Sequence, residues 1–223
     1  MKKLFKLLTI ALVGSLVFTS CKDNDLDLET GKEANLKAEK KLDSLFSAEK
    51  IKIEKYVTDN FTNAIEDTVS VSYQYLGKKI KRGLWYEILS APTDDSFEYT
   101  GKFVSSYYGS YFTANLPKVK LKYTAKLLDG TVVQQESEGS LFDLSTMSAT
   151  TYNNVWEMSF VPYSIKYNGN TQITNGLTAK GLKKGSKIRV ISPSYWAFYN
   201  KSTDKIPAYS PLVYEFEILS IEY

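Results

Sequence analysis

The chain has no histidine and one cysteine, Cys21, which limits the covalent chemistry open to it. A serine triad would lack its base. Carboxylates are plentiful, but Asp94-Asp95 and the acids of residues 22–28 do not fall at EF-hand spacing, so no metal site and no cofactor are expected. Glu136 and Glu138 form a carboxylate pair beside a hairpin, with no sugar groove around them, and read as solvated acids rather than as a glycosidase pair. What remains is aromatic. The run Tyr195-Trp196-Ala197-Phe198-Tyr199 follows an apolar strand, and the chain holds 17 Tyr and 11 Phe. Rings at a strand end form core or pocket wall. Base stacking would need a basic groove beside them, and the lysines alternate with apolar residues instead, so no nucleic acid partner is expected.

These rings must be positioned by strands. KVKLKYTAKL, residues 118–127, alternates strictly: Val119, Leu121, Tyr123, Ala125 and Leu127 share one face, the lysines and Thr124 the other. Asp129-Gly130 closes a hairpin, and TVVQQ starts the return strand. TVSVSYQYLG, residues 68–77, also alternates, and GLWYEIL, residues 83–89, is a short apolar strand. A helix is expected from Thr174-Asn175 through Leu177 and Leu182. Gly185 is its left-handed stop, and Lys183 and Lys184 suit its negative end. KIRVI and PLVYEFEIL follow as strands. The sum is a mainly antiparallel sheet with one late helix, an α+β plan.

The ends carry a different message. Lys2, Lys3 and Lys6 precede a mostly apolar run, residues 7–18, and then Thr19-Ser20-Cys21, a secretory signal layout too short for an ordinary membrane span. Those three lysines account for the formal net charge of +3, so the basic balance says nothing of nucleic acid. The small residues before Cys21 resemble a bacterial lipobox. The resemblance implies lipidation at Cys21 and a chain tethered to the outer membrane of the cell envelope, on its periplasmic or surface face. With Cys21 so used, no disulfide and no metal thiolate remain. The expected divisions are a signal peptide at 1–20, an acidic tether at 21–33, a helical arm at 34–67 and a domain at 68–223. In the arm, Leu42, Leu45, Phe46, Ile53, Tyr56 and Val57 fall near helical spacing. Such a helix packs on its own domain; the sharper reading is a homodimer through residues 34–58.

The order of pieces resembles the FKBP-type peptidyl-prolyl isomerases. GLWYEIL is similar to that family's opening strand. KVKLKYTAKLLDGTVV is similar to its tyrosine strand and Asp-Gly hairpin, and LFDL, residues 141–144, to its short phenylalanine strand. QITNGLTAKGLKKGSKIRVISPSYWAF, residues 172–198, is similar to its helix, Gly-Lys turn, strand and aromatic loop, and IPAYSPLVYEFEILSI, residues 206–221, to its Ile-Pro loop and last strand. The resemblance covers roughly residues 82–223 and implies a curved antiparallel half-barrel wrapped over one short α-helix, with an N-terminal helical extension.

It also implies an activity that needs no histidine. An X-Pro bond turns over an amide-resonance barrier of roughly 18–20 kcal/mol, with no proton transferred and no bond broken. A dry apolar cup with donors for the flanking carbonyls is enough to favour the twisted bond. By resemblance, Tyr123, Ile173, Phe198, Ile206 and Tyr214 line the cup, with Val133, Gln134, Phe142 and Leu177 around it. Ile173 would offer its backbone N–H to a substrate carbonyl.

Departures from the family pattern lie in the same residues. Val133-Gln134 replaces Phe-Asp, Leu177 stands for the tryptophan that floors the cup, and Phe198 lacks the hydroxyl of the loop tyrosine. Losing that hydrogen bond costs about 0.5–1.5 kcal/mol. Residues 145–170, with Tyr152, Trp156, Phe160, Tyr163 and Tyr167, read as an insertion: an extra hairpin on the sheet edge, or a flap that lends the cup an aromatic. The expected function is a folding assistant for proline-containing segments. The alternative is a catalytically degenerate binding module with the same fold, and a third reading is a structural spacer in an outer-membrane assembly.

Overall fold

The computed structural model describes residues 26–107, 109–146 and 151–223, with side chains described from residue 31 onward. The expected signal segment and Cys21 lie outside these residues. One long helix, α1 (Leu26–Asn60), opens the described chain and contributes to both of its compact units. It begins well before residue 34, so the later part of the expected tether, residues 26–33, is helical.

The first unit joins α1 up to Ala48 with residues 68–82. Strands β2 (Ser70–Tyr73) and β3 (Lys78–Lys81) form an antiparallel hairpin with Tyr73 opposite Lys78. The Glu39 carboxylate accepts from the backbone N–H groups of Tyr75 and Leu76 at 2.9 and 2.8 Å, and Asp43 pairs with Lys78 at 2.6 Å. Phe46 and Tyr73 are buried. The boundary expected at residue 68 is therefore displaced: TVSVSYQYLG pairs with its own return strand and belongs with the start of α1.

The second unit is residues 49–67 and 83–223. Its centre is a six-stranded antiparallel sheet in the order β1 (Ile65–Glu66), β4 (Trp85–Ser90), β11 (Lys187–Ser192), β12 (Leu212–Glu222), β7 (Lys118–Lys126), β8 (Val132–Asp143). The alternation read from the sequence decides the faces. Val119, Leu121, Tyr123 and Ala125 of β7 join Leu212, Tyr214, Phe216 and Ile218 of β12 in one buried cluster with the short helix α2 (Asn154–Phe160). Ile191 and Val213, one residue out of phase, form a second cluster with Ile53 and Val57 of α1. Ile53, Tyr56 and Val57 of the arm thus pack on the sheet, and α2 packs on the other face. Register shifts between Leu121 and Tyr123 and between Ile218 and Ser220 mark bulges, which bend and twist strands.

Two hairpins stand beside the sheet: β5 (Gly101–Ser106) with β6 (Gly109–Ala114), and β9 (Ser164–Tyr167) with β10 (Asn170–Ile173). Rings of Phe103, Phe112 and Tyr167 meet at 5.4–5.7 Å. The β9–β10 turn is Asn168-Gly169, both at positive φ (48° and 80°), as a tight hairpin turn requires.

The position of the helix corrects the sequence expectation. Thr174–Gly185 is not helical, and the helix lies at Asn154–Phe160, inside the presumed insertion. The Asn153 side chain caps its start by accepting from Val155 N–H. Its last carbonyls would be orphans. The 176–182 segment serves them instead: Leu177 N–H donates to the Met158 carbonyl at 2.8 Å and Leu182 N–H to Phe160 at 2.9 Å. Hairpin β9–β10 and this capping stretch follow the helix in the chain.

Candidate functional site

The buried face of the sheet brings aromatic rings together around Trp156. Phe216 lies opposite Tyr123 in the β12–β7 register, so both rings project toward α2. Trp156, fully buried, has ring centroids of Tyr123 and Phe216 at 4.8 Å, Phe142 at 5.8 Å, Phe160 at 6.0 Å and Tyr152 at 6.2 Å. Most of these pairs are edge-on or tilted, the arrangement favoured by ring quadrupoles. Tyr214 stacks on Phe216 at 5.7 Å, and its hydroxyl accepts from the Asn153 amide at 2.9 Å. The cap of α2 is thereby hydrogen-bonded to the last strand.

Two loops complete the cluster. After β11, Pro193 leads into a single 3₁₀ turn at Ser194–Trp196, and Phe198 then enters the cluster, 8% exposed. Tyr199 and Tyr209 both take positive φ (52° and 58°), and Tyr209 N–H donates to the Tyr199 carbonyl at 2.7 Å, which fastens one loop to the other. Ile206 is 2% exposed in the same cluster. Its N–H donates to the Thr203 hydroxyl, and its carbonyl accepts from Thr203 N–H.

The structure therefore gathers Tyr123, Val133, Leu177, Phe198, Ile206 and Tyr214 in one cluster, with Phe142 packed against it. Gln134 lies beside them on β8, opposite Ala125. Ile173 is not among them. It sits on β10 opposite Ser164, 51% exposed, and its side chain lies outside the cluster. Leu177 is buried, but the aromatic base is Trp156, on the helix itself. Sequence reasoning missed Asn153 and Phe216 as members, and offered Trp156 and Phe160 only as aromatics of a flap. The available signal was Asn153 as a cap followed by Val155, Trp156, Met158, Ser159 and Phe160, all buried on a helix of two turns.

The tyrosine hydroxyls among the rings stay neutral. Burial pushes the Tyr123 hydroxyl up, and Glu136 directly across the β7–β8 pair adds to this. Burial holds Tyr214 well above the usual range, against the Asn153 hydrogen bond. The Glu136 carboxyl is pulled down by the Ser140 hydroxyl and by backbone N–H groups, so it is an acceptor tied into its own turn. Hydroxyls held above their ordinary titration range act as hydrogen-bond donors and acceptors at neutral pH, not as bases.

No family model and no curated protein matches the chain. Solved structures similar to it are peptidyl-prolyl isomerases of the FKBP type. One is a peptidyl-prolyl cis-trans isomerase of Pseudomonas syringae pathovar tomato, 18% identical, covering 92% of this chain and all of that one, with TM-score 0.42. Another is FkpA from Escherichia coli, 18% identical, covering 92% of this chain and 75% of that one, with TM-score 0.43. The three FKBP domains of wheat FKBP73 are 19% identical over 62% of this chain and 44% of that one, with TM-score 0.38. At these values the similarity is one of general plan, and the site is read from its own side chains.

Proposed function

We propose that this chain is an envelope lipoprotein, anchored to the outer membrane through Cys21, whose FKBP-like domain binds proline-containing segments and speeds their cis-trans rotation. The observation that carries this is Trp156, held at the base of a ring of Tyr123, Phe142, Phe160 and Phe216, with Phe198 and Ile206 brought in by the two late loops. A proline ring on such a base loses its water, and the twisted X-Pro amide, which has lost resonance, is better tolerated in dry apolar surroundings than in water. No cofactor is needed. Each 1.36 kcal/mol removed from the barrier of roughly 18–20 kcal/mol is about tenfold in rate.

A second reading is favoured by Phe198 and by the closure of the cluster, whose members are 0–8% exposed. A cup with no hydroxyl at the loop position and little open surface suits slow turnover, or binding without turnover, and the chain then serves as a protein- or peptide-binding module. A homodimer through residues 34–58 is compatible with either.

Refolding of a protein limited by a proline isomerisation separates the two readings. With residues 22–223 at micromolar concentration, the slow phase should accelerate in proportion to added protein. An unchanged slow phase, together with saturable binding of a proline peptide, moves the assignment to the binding module.

A further inference from the structure

Two donors in the aromatic cluster have nothing to donate to among the described residues. The Trp156 indole Nε1 and the Tyr152 hydroxyl are both buried and neither has a hydrogen-bond partner there. They belong to neighbouring rings, 6.2 Å apart and tilted by 51°. Tyr152 stands just before the Asn153 cap of α2 and packs on the main cluster. An orphaned buried donor costs on the order of 1–3 kcal/mol, and native structures keep few of them. Two on adjacent rings, at the place where a bound segment would rest, call for a partner that arrives from outside.

We propose that Tyr152 and Trp156 are paired donors for a neutral carbonyl oxygen of the bound segment, one of the two amide carbonyls flanking the proline. This rests on the proline-binding reading above and deepens it. The indole offers a donor only, so the partner must be an acceptor. Glu157, on the first turn of the same helix, argues for a neutral one. It is partly buried, makes no ion pair among the described residues, and burial raises its carboxyl. Its charge acts on the Tyr152 hydroxyl, whose titration is held far above the ordinary range, first by burial and then by Glu157. Tyr152 therefore keeps its proton, and a carboxylate ligand would meet repulsion where an amide meets none. The arrangement also supplies, from the helix start, the hydroxyl that Phe198 lacks. Phe142, half-buried and with its ring 5.8 Å from that of Trp156, is the side chain the ligand would displace to reach the donors.

The test uses acetyl-Ala-Leu-Pro-Phe-amide and two analogues with a thioamide, a weaker acceptor, at the Leu or the Pro carbonyl. Dissociation constants are measured by NMR titration on the wild-type chain and on Tyr152→Phe. Expected is a loss of about 3- to 10-fold for Tyr152→Phe with the parent peptide. One thioamide should weaken wild-type binding and weaken Tyr152→Phe less, because only the Trp156 indole still donates there. Thermal unfolding of Tyr152→Phe should stay unchanged or rise, because the variant removes an orphan rather than a bond. Equal binding by both proteins overturns the inference alone, with a bridging water as the hydroxyl's real partner. No binding by the wild-type chain overturns the proline reading, and the inference with it.

Discussion

Ser194 donates both its backbone N–H and its hydroxyl to the Glu49 carboxylate, at 2.8 and 2.6 Å, and the two residues are 0% and 2% exposed. The acid comes from α1 and the serine opens the turn that leads into Phe198. The helical arm therefore does more than cover the sheet: it fastens the aromatic loop that completes the cluster. Glu49→Ala leaves two buried donors without an acceptor and should cost about 1–3 kcal/mol. Urea denaturation measures this, and an unshifted midpoint would contradict it.

The same contact gives a pH dependence with a definite sign. Burial raises the Glu49 carboxyl above its ordinary 4.5, outweighing the Ser194 hydrogen bonds and Lys52, which lower it. The folded chain thus holds this proton to higher pH than the unfolded chain. Its contribution to stability is complete below 4.5 and fades as pH rises through the raised value. Glu49→Gln cannot titrate. The unfolding free energy of wild type minus that of Glu49→Gln should fall as pH is raised from about 4 toward neutral. A difference that grows over that range would show the carboxylate to be the favoured form.

Trp156, rather than Leu177, is the base of the cluster, and paired variants distinguish them. Trp156→Phe keeps a ring but loses width and the indole N–H. It should lower acceleration of proline-limited refolding by about tenfold or more, a change of ~1.4 kcal/mol in the barrier. Leu177→Val, in the same buried cluster, should lower stability by about 0.5–1.5 kcal/mol and leave the rate per folded molecule near wild type. Comparable rate losses for the two would return the floor to Leu177.

The parts of this site that were legible in the sequence are those set by strict alternation or by a loop with its own punctuation. The two-residue period of β7 and β12 sets the faces of Tyr123 and Tyr214; their place in a cup, and that of Phe198 after Pro193 and Ile206 before Pro207, come from the family resemblance. The helix was not legible because α2 has seven residues and is rich in aromatic and β-branched types, which carry little helical propensity. Asn175 and Gly185 imitated helix ends, yet Asn175 sits at φ 60° and its stretch caps α2. Nor does alternation name a partner. TVSVSYQYLG reads as a strand and its residues 70–73 form one, but its period cannot say that they pair with residues 78–81 and stay outside the main sheet.

Ile173 offers a check on that misplacement. At 51% exposure on a hairpin outside the cluster, its side chain has little to lose. Ile173→Ala should change stability by no more than about 0.5 kcal/mol and leave peptide binding unaltered. A tenfold loss of binding would place β10 at the cup after all.

Gly176 shows how tightly the capping stretch is built. It lies where its N–H donates to the Pro162 carbonyl at 3.2 Å, one residue before Leu177 N–H reaches Met158 on the helix. A Cβ here would overlap the Val161 carbonyl oxygen and come within 2.6 Å of the Pro162 oxygen. Both obstacles are backbone at the end of α2, so neither can rotate away, and relief requires the capping strand to lift. Gly176→Ala should therefore destabilise the domain by about 1–3 kcal/mol or more. The hydrogen bonds it strains hold the C-terminal end of the helix that carries Trp156, so amide exchange at Leu177 and Leu182 should quicken more than at Tyr123 on β7. Uniform quickening across all three would mean that the capping stretch and the sheet open as one unit.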